Sequence, residues 1–269
     1  MAALAEEVLA IARSADEAIM TVYREGDPGV TLKGDDSPLT RADIAAHAVI
    51  DRRLKELTPL WPLLSEEANI PPYEARKTWG RFWMVDPLDG TKEFIRRRDQ
   101  FTVNIALIEE GRPILGVVTA PALGTGWWGA VGVGAFAETA AGRKPIRAGG
   151  YAPGETLKIV ASRSHATPEQ ERFIGALDAA VESVNIGSSL KLCLVAEGSA
   201  HIYPRLGPTM EWDTAAAHAV VEQAGGIVTD LTGAPLAYNK PEPRNPFFIV
   251  TGAPPFDWRA AAAAVTGRR

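Results

Sequence analysis

The sequence predicts a mixed α/β fold, with an α+β lobe over residues 1–150 and an α/β lobe over residues 151–269. Two observations predict it. In the first half, two helix-like stretches are followed by strand-like runs separated by short turns. In the second half, strand-like and helix-like stretches alternate, as in α/β layers. The texture changes at "AGGYAPGE", residues 148–155, which marks the expected boundary.

Leu4, Val8, Ile11, Ala15, Ile19 and Val22 step by three and four, so the chain opens with an amphipathic helix burying one face. Polar "KGDDSPLT" separates it from a second helix, from about Arg41 to Leu57. "WPLLSEE" is a short apolar run ending in acids, and "RFWMVDP" reads as a strand. "FTVNIALIEEGRPILGVVTAP" reads as two strands joined at "EEGRP", a hairpin. Gly-rich "WWGAVGVGAFAE" continues that sheet with bends, with one of Trp127 and Trp128 in the core and the other on the surface.

Beyond the boundary, "LKIVAS" is a strand, and Thr167-Pro168-Glu169 starts a helix with a hydroxyl cap and proline in the first turn. "VESVNIG" is a strand, and "SSLKLCLVAEG" is a helix ended by Gly198, with Cys193 as a core thiol. "AHIYPR" is a strand. "WDTAAAHAVVEQAGG" is a helix ended by Gly225 and Gly226. "NPFFIVTG" is the last strand, before an Ala-rich C-terminal helix.

A net charge of -5 argues against nucleic-acid binding. A single cysteine forbids an intrachain disulfide and fits a reducing cytosol. The N-terminus has no signal-peptide pattern, and no segment is apolar enough to span a bilayer. Peripheral contact with the inner face of the membrane stays open, as does the oligomeric state.

The chemistry gathers in "WMVDPLDGTKEF", Trp83 to Phe94. An apolar strand runs into Asp86, Pro87, Asp89, Gly90 and Thr91. Unpaired, the two carboxylates repel; a divalent cation removes that cost. An Asp-Pro turn with solvated acids explains "DPLDG" alone equally well. Glu66 alone reads as a loop acid, and Asp213 alone as a helix N-cap. Together the four acids offer an all-oxygen site suited to Mg²⁺. The four histidines lack metal-ligand spacing, which argues against zinc.

"DPLDGT" together with "WDTAAA" resembles the inositol monophosphatase superfamily of Mg²⁺-dependent, lithium-sensitive phosphatases. "SPLTRADIAAH", "LLSEE", "DPLDGTKEFI", "FTVNIALI", "ASRSH", "GSSLK" and "EGSAHIYPR" resemble more closely its CysQ-type 3'(2'),5'-bisphosphate nucleotidases. The resemblance implies a layered α-β-α-β-α sandwich. It implies that Glu66, Asp86 and the carbonyl of Leu88 hold one Mg²⁺, and Asp86, Asp89 and Asp213 a second. A third, weaker ion sits near Glu66. Gly90 and Thr91 offer backbone N–H groups to phosphate. Thr91 pairs with Asp43 to orient and deprotonate the attacking water. Thr40-Arg41-Ala42-Asp43 is also a capping-box pattern, a rival role for Asp43.

The substrate so implied is a small phosphate ester, adenosine 3',5'-bisphosphate, an inhibitory by-product of sulfate assimilation. Ser162, His165, Ser188, Lys191 and Arg205 are the candidate substrate contacts, along with Gly90, Thr91 and Asp213. As ordinary residues, Lys191 is a solvated helix lysine and Arg205 a surface ion-pair partner. The run Arg96 to Arg98 reads as a solvated face. One departure stands out: Ala217 replaces the family's glycine, and its methyl is expected to crowd close packing near the site, with a bearing on fine substrate fit rather than on the chemistry. An inositol or sugar phosphatase using the same acids is the alternative, and a metal-sensing protein without catalysis the non-enzymatic one.

Overall fold

The computed structural model describes residues 1–34, 36–162 and 167–267. Helix α1 (Ala2–Glu25) is followed by a small hairpin, β1 (Thr31–Leu32) and β2 (Pro38–Leu39), and by α2 (Arg41–Leu57). Next come β3 (Leu63–Ser65), α3 (Tyr73–Arg76), β4 (Arg81–Asp89) and α4 (Thr91–Ile95). The strands β5 (Thr102–Glu109), β6 (Arg112–Ala120), β7 (Thr125–Ala130), β8 (Gly134–Thr139) and β9 (Gly142–Pro145) complete the first half. The second half runs β10 (Leu157–Ser162), α5 (Pro168–Gly175), β11 (Val181–Ile186), α6 (Leu190–Ala196) and β12 (Ile202–Arg205). It ends with α7 (Glu211–Gln223), β13 (Ile227–Asp230), β14 (Phe248–Thr251) and α8 (Arg259–Thr266).

Strands β3 to β9 form a seven-stranded sheet in sequence order, antiparallel except for the parallel pair β3–β4. The second sheet has the order β11-β10-β12-β14-β13. Its β10 is parallel to β11 and β12, and β14 is antiparallel to β12 and β13. Period-2 alternation divides the side chains of each sheet between two cores. Trp83, Val85, Ile105, Leu107 and Val117 pack with α1 and α2. Phe82, Met84, Ala106, Ile108 and Val118 pack with α6 and α7 between the sheets. On the far face of the second sheet, Leu157, Ile159 and Ile249 pack with Phe173 of α5 and Ala261 of α8. The layers are therefore α-β-α-β-α.

Helix α7 belongs to the second half yet packs on β4 to β7 of the first. Gly116 on β6 makes this approach possible: a Cβ there would lie 2.0 Å from the carbonyl oxygen of Ala216. The close fit seats Asp213 against the first sheet. Ala217 is fully buried in the shared core and is not among the described residues lining the cleft. Its methyl therefore bears on packing between α7 and the first sheet, in keeping with the expectation of close packing there.

Other expectations are corrected. Trp127 and Trp128 are both buried, in different cores, because helices cover both sheet faces. Strand β13, four residues directly after Gly225 and Gly226, is an element beyond those expected. Leu4 is only half-buried, whereas the other five positions of the α1 stripe are buried. No described helix is long and apolar enough to cross a membrane.

Candidate active site

Strand β4 does not stop at Asp86. It continues to Asp89 through a bulge: Asp86 pairs with Asn104 and Asp89 with Thr102, so three steps on β4 match two on β5. β3 pairs only as far as Val85, so the missing N–H of Pro87 leaves no ladder bond broken. The bulge turns both carboxylates toward one cleft. Gly90, at φ 95°, then starts α4; a Cβ there would press to 3.0 Å from the carbonyl of Gln100.

Carboxylate oxygens of Glu66, Asp86 and Asp213 lie within 4.8 Å of one another. Glu66 follows β3, Asp86 comes from the bulge and Asp213 from the first turn of α7. Asp213 is not the N-cap. It occupies the third helical position, and its Oδ2 accepts from the N–H of Met210 at 2.9 Å. Asp89 and Leu88 line the same cleft, of about 680 Å³. Burial, then repulsion from the neighbouring acids, raises Asp86 well above the carboxylate range. Burial and Asp89 push Asp213 up to about 8. Asp89 rises to about 6 through burial, opposed chiefly by Lys191.

The ammonium of Lys33, on the turn between β1 and β2, bonds Glu66 at 2.8 Å and Glu67 at 2.7 Å. A cation thus stands against this acid set. An all-oxygen, mutually repelling cluster fits a hard divalent ion better than zinc.

Asp43 serves two ends at once. Its Oδ2 accepts from the N–H of Thr40 at 2.8 Å and the Thr40 hydroxyl at 2.5 Å, the capping box of α2. Its Oδ1 accepts from the Thr91 hydroxyl at 3.3 Å. The two roles weighed as rivals use different oxygens. Burial is the main cause that raises Asp43, and Glu66 adds to it.

A second cavity, of about 160 Å³, opens beside the acids and shares Asp89, Gly90 and Asp213 with them. Lys191 lines it and is 8% exposed, so it is not a solvated helix lysine. Its Nζ donates to the Ser188 carbonyl at 2.6 Å, and burial lowers it to about 8. Arg205 lines the same cavity and donates from Nη2 to the Pro208 carbonyl at 2.7 Å. Its buried Nε has no hydrogen-bond partner. Ser188, at φ 50°, shapes the turn into α6, and the N–H of Ser189 donates to Asp89. Ser162 ends β10; His165 lies outside the described residues. Arg96 to Arg98 are exposed, with Arg97 stacked 4.0 Å over the Tyr23 ring.

Sequence reasoning missed Lys33, Tyr203 and Thr209 in the cleft walls. The "LKGDDSP" turn holds the one available signal, a lysine among small and acidic residues.

Two sheets between three helical layers, with acids converging where β3 and β4 end and α7 begins, define a layered α/β protein with an acid-lined cleft. The comparisons agree in detail. A model of the inositol monophosphatase family matches residues 2–247, and the chain belongs to that family. It is 50% identical over 248 residues to the 3'(2'),5'-bisphosphate nucleotidase CysQ of Salmonella typhimurium, covering 91% of this chain and 98% of the relative. Identity and coverage are the same for the Escherichia coli K12 protein of that name. The crystal structure of CysQ from Bacteroides thetaiotaomicron superposes with a TM-score of 0.81 at 40% identity, covering 93% of this chain and 97% of that one.

Proposed function

We propose that this protein is a Mg²⁺-dependent 3'(2'),5'-bisphosphate nucleotidase that hydrolyses adenosine 3',5'-bisphosphate to AMP and phosphate. The observation that carries the reading is that the Lys191 cavity shares Asp89, Gly90 and Asp213 with the acid-lined cleft. A substrate with two phosphates spans them, one phosphate at the acids and the other at Lys191. The nucleotidase names of relatives at 50% identity support this substrate over an inositol or sugar phosphate.

Glu66, Asp86 and the Leu88 carbonyl would hold one Mg²⁺, and Asp86, Asp89 and Asp213 a second; a third would sit near Glu66, where Lys33 now donates. When bound, the ions neutralise phosphate charge and make water a nucleophile near neutral pH. Asp213 thereby also borders the substrate phosphate. Thr91 orients the attacking water through its hydroxyl. Asp43 receives the proton by way of Thr91, and its raised affinity for protons makes it a stronger base than a solvated aspartate. Backbone N–H groups of Gly90 and Thr91 face the cleaved phosphate. Lys191, Ser188 and Arg205 hold the other. A cytosolic role in sulfur metabolism fits this reading; nothing among the described residues supports peripheral membrane contact. The α+β and α/β halves meeting near residue 150 act as lobes, the second lending Asp213 to ligands of the first.

Phosphate release from adenosine 3',5'-bisphosphate, adenosine 3'-monophosphate and inositol 1-phosphate, each with Mg²⁺ and with chelator, tests the proposal. The bisphosphate should be turned over fastest, and chelator should abolish release. Preference for inositol 1-phosphate would move the assignment to the alternative phosphatase. Mg²⁺ binding without release from any ester would make the protein a sensor, and full activity in chelator would overturn the metal reading.

A further inference from the structure

Glu211 is fully buried, two residues before Asp213, and no step above uses it. Its Oε2 accepts from the N–H of Asn239 at 2.7 Å, and its Oε1 from the N–H of Lys240 at 3.0 Å and from the Lys240 ammonium. Asn239 continues the chain of contacts. Its Oδ1 accepts from Arg76 Nη1 at 2.7 Å, and its Nδ2 donates to the Arg76 carbonyl at 2.7 Å. Arg76, only 2% exposed, also donates to the carbonyls of Pro241 and Pro71. Among the described residues no carboxylate forms an ion pair with it.

Burying an arginine and a glutamate this way is costly, and well-packed apolar residues often serve stability as well or better. Directional hydrogen bonds supply something apolar packing does not, a defined separation between segments. The segments here are informative. Arg76 ends α3, within the connection that leaves β3 through Glu66 and runs on to β4, and Glu211 opens the helix that carries Asp213. On the helix side, Asn245 secures the same turn by donating to the Met210 carbonyl at 2.8 Å and the Thr214 hydroxyl at 3.0 Å.

We propose that Arg76, Asn239 and Glu211 form a buried strut that sets the spacing of Glu66 and Asp213, and so tunes divalent-cation affinity. They are positioning residues and touch no reacting atom. Without the strut, the repelling acids relax apart, and a cation must then draw them together at the expense of its own binding. The inference rests on the reading of the acid cluster as a Mg²⁺ site.

Asn239→Gly is the decisive variant. Asn239 has φ 66°, where glycine is at ease, so the turn survives while both side-chain bonds to Arg76 are lost. MgCl₂ is titrated into metal-free protein and followed by calorimetry and by tryptophan fluorescence, with Trp212 adjoining Asp213. Groups bonded directly to ligands change metal affinity about 10- to 100-fold when removed. The strut acts one step further out, so a weakening of about 3- to 10-fold is expected, with turnover largely recovered at saturating Mg²⁺. Asn239→Asp retains an acceptor for Arg76 and should fall between wild type and Asn239→Gly. A lower melting temperature with an unchanged Mg²⁺ midpoint would overturn the proposal and leave a structural clamp only. Absence of Mg²⁺ binding in the wild type would instead overturn the site reading.

Discussion

Asp213→Asn should stabilise the metal-free protein while destroying its response to Mg²⁺. Asp213 is pushed from 3.8 up to about 8, mainly by burial and then by Asp89. In the unfolded chain the group ionises near pH 4; in the folded chain it keeps its proton to about pH 8. Between those values the folded state binds more protons, so stability falls as pH rises. Below pH 4 this penalty is absent, and above pH 8 it is complete. At about 1.4 kcal/mol per pH unit, the interval from pH 5 to pH 8 has a ceiling near ~4 kcal/mol. The charge is shared among coupled acids and partly wetted, which reduces the expected effect to about 1–3 kcal/mol.

Asparagine carries no charge at either pH and retains an oxygen for the Met210 N–H. In chelator, the variant should therefore melt higher than wild type at pH 8 by about 3–8 °C. At pH 5 the gap should shrink to a third or less of that. Added Mg²⁺ should reverse the ranking at pH 8, because only the wild type binds it fully. Differential scanning calorimetry at both pH values, with and without Mg²⁺, reads all of this. A variant that melts below wild type at pH 8 in chelator, or a gap equal at both pH values, would refute the reasoning.

Asp43→Asn should lower turnover by about 10²- to 10⁴-fold with a small change in melting temperature, since asparagine still caps α2; a lower melting temperature with normal turnover per folded molecule would leave Asp43 as a cap alone. Lys191→Ala should cut kcat/KM on adenosine 3',5'-bisphosphate by about 30-fold or more and change adenosine 3'-monophosphate much less, because only the former places a phosphate at the buried ammonium; equal losses on both substrates would mean general support of the site. Gly116→Ala should destabilise by about 3 kcal/mol, measured by urea unfolding, because its methyl meets the backbone of α7 rather than a movable side chain.

What the sequence disclosed and what it hid divide along a physical line. The α1 stripe and the apolar runs and hairpin turn of β4 to β6 are local patterns, and they placed those elements correctly. Alternation names two faces but is silent on which is wet. Here both faces of the large sheet are roofed by helices, so Trp127 and Trp128 both became core. The acids were legible as a set because each ends or begins an element. Their partners were not, since Lys33 reaches Glu66 from a hairpin of two-residue strands that has no periodic signal. Asp43 shows the limit most sharply. Its cap to Thr40 spans three residues and can be read locally, whereas its bond to Thr91 spans 48. A carboxylate has two oxygens, and a local motif uses only one of them. The assumption that a satisfied motif exhausts a residue therefore sets structure against function where the geometry supplies both. Holding Oδ2 in the cap fixes the direction of Oδ1, so in Asp43 the structural bond is what aims the functional one.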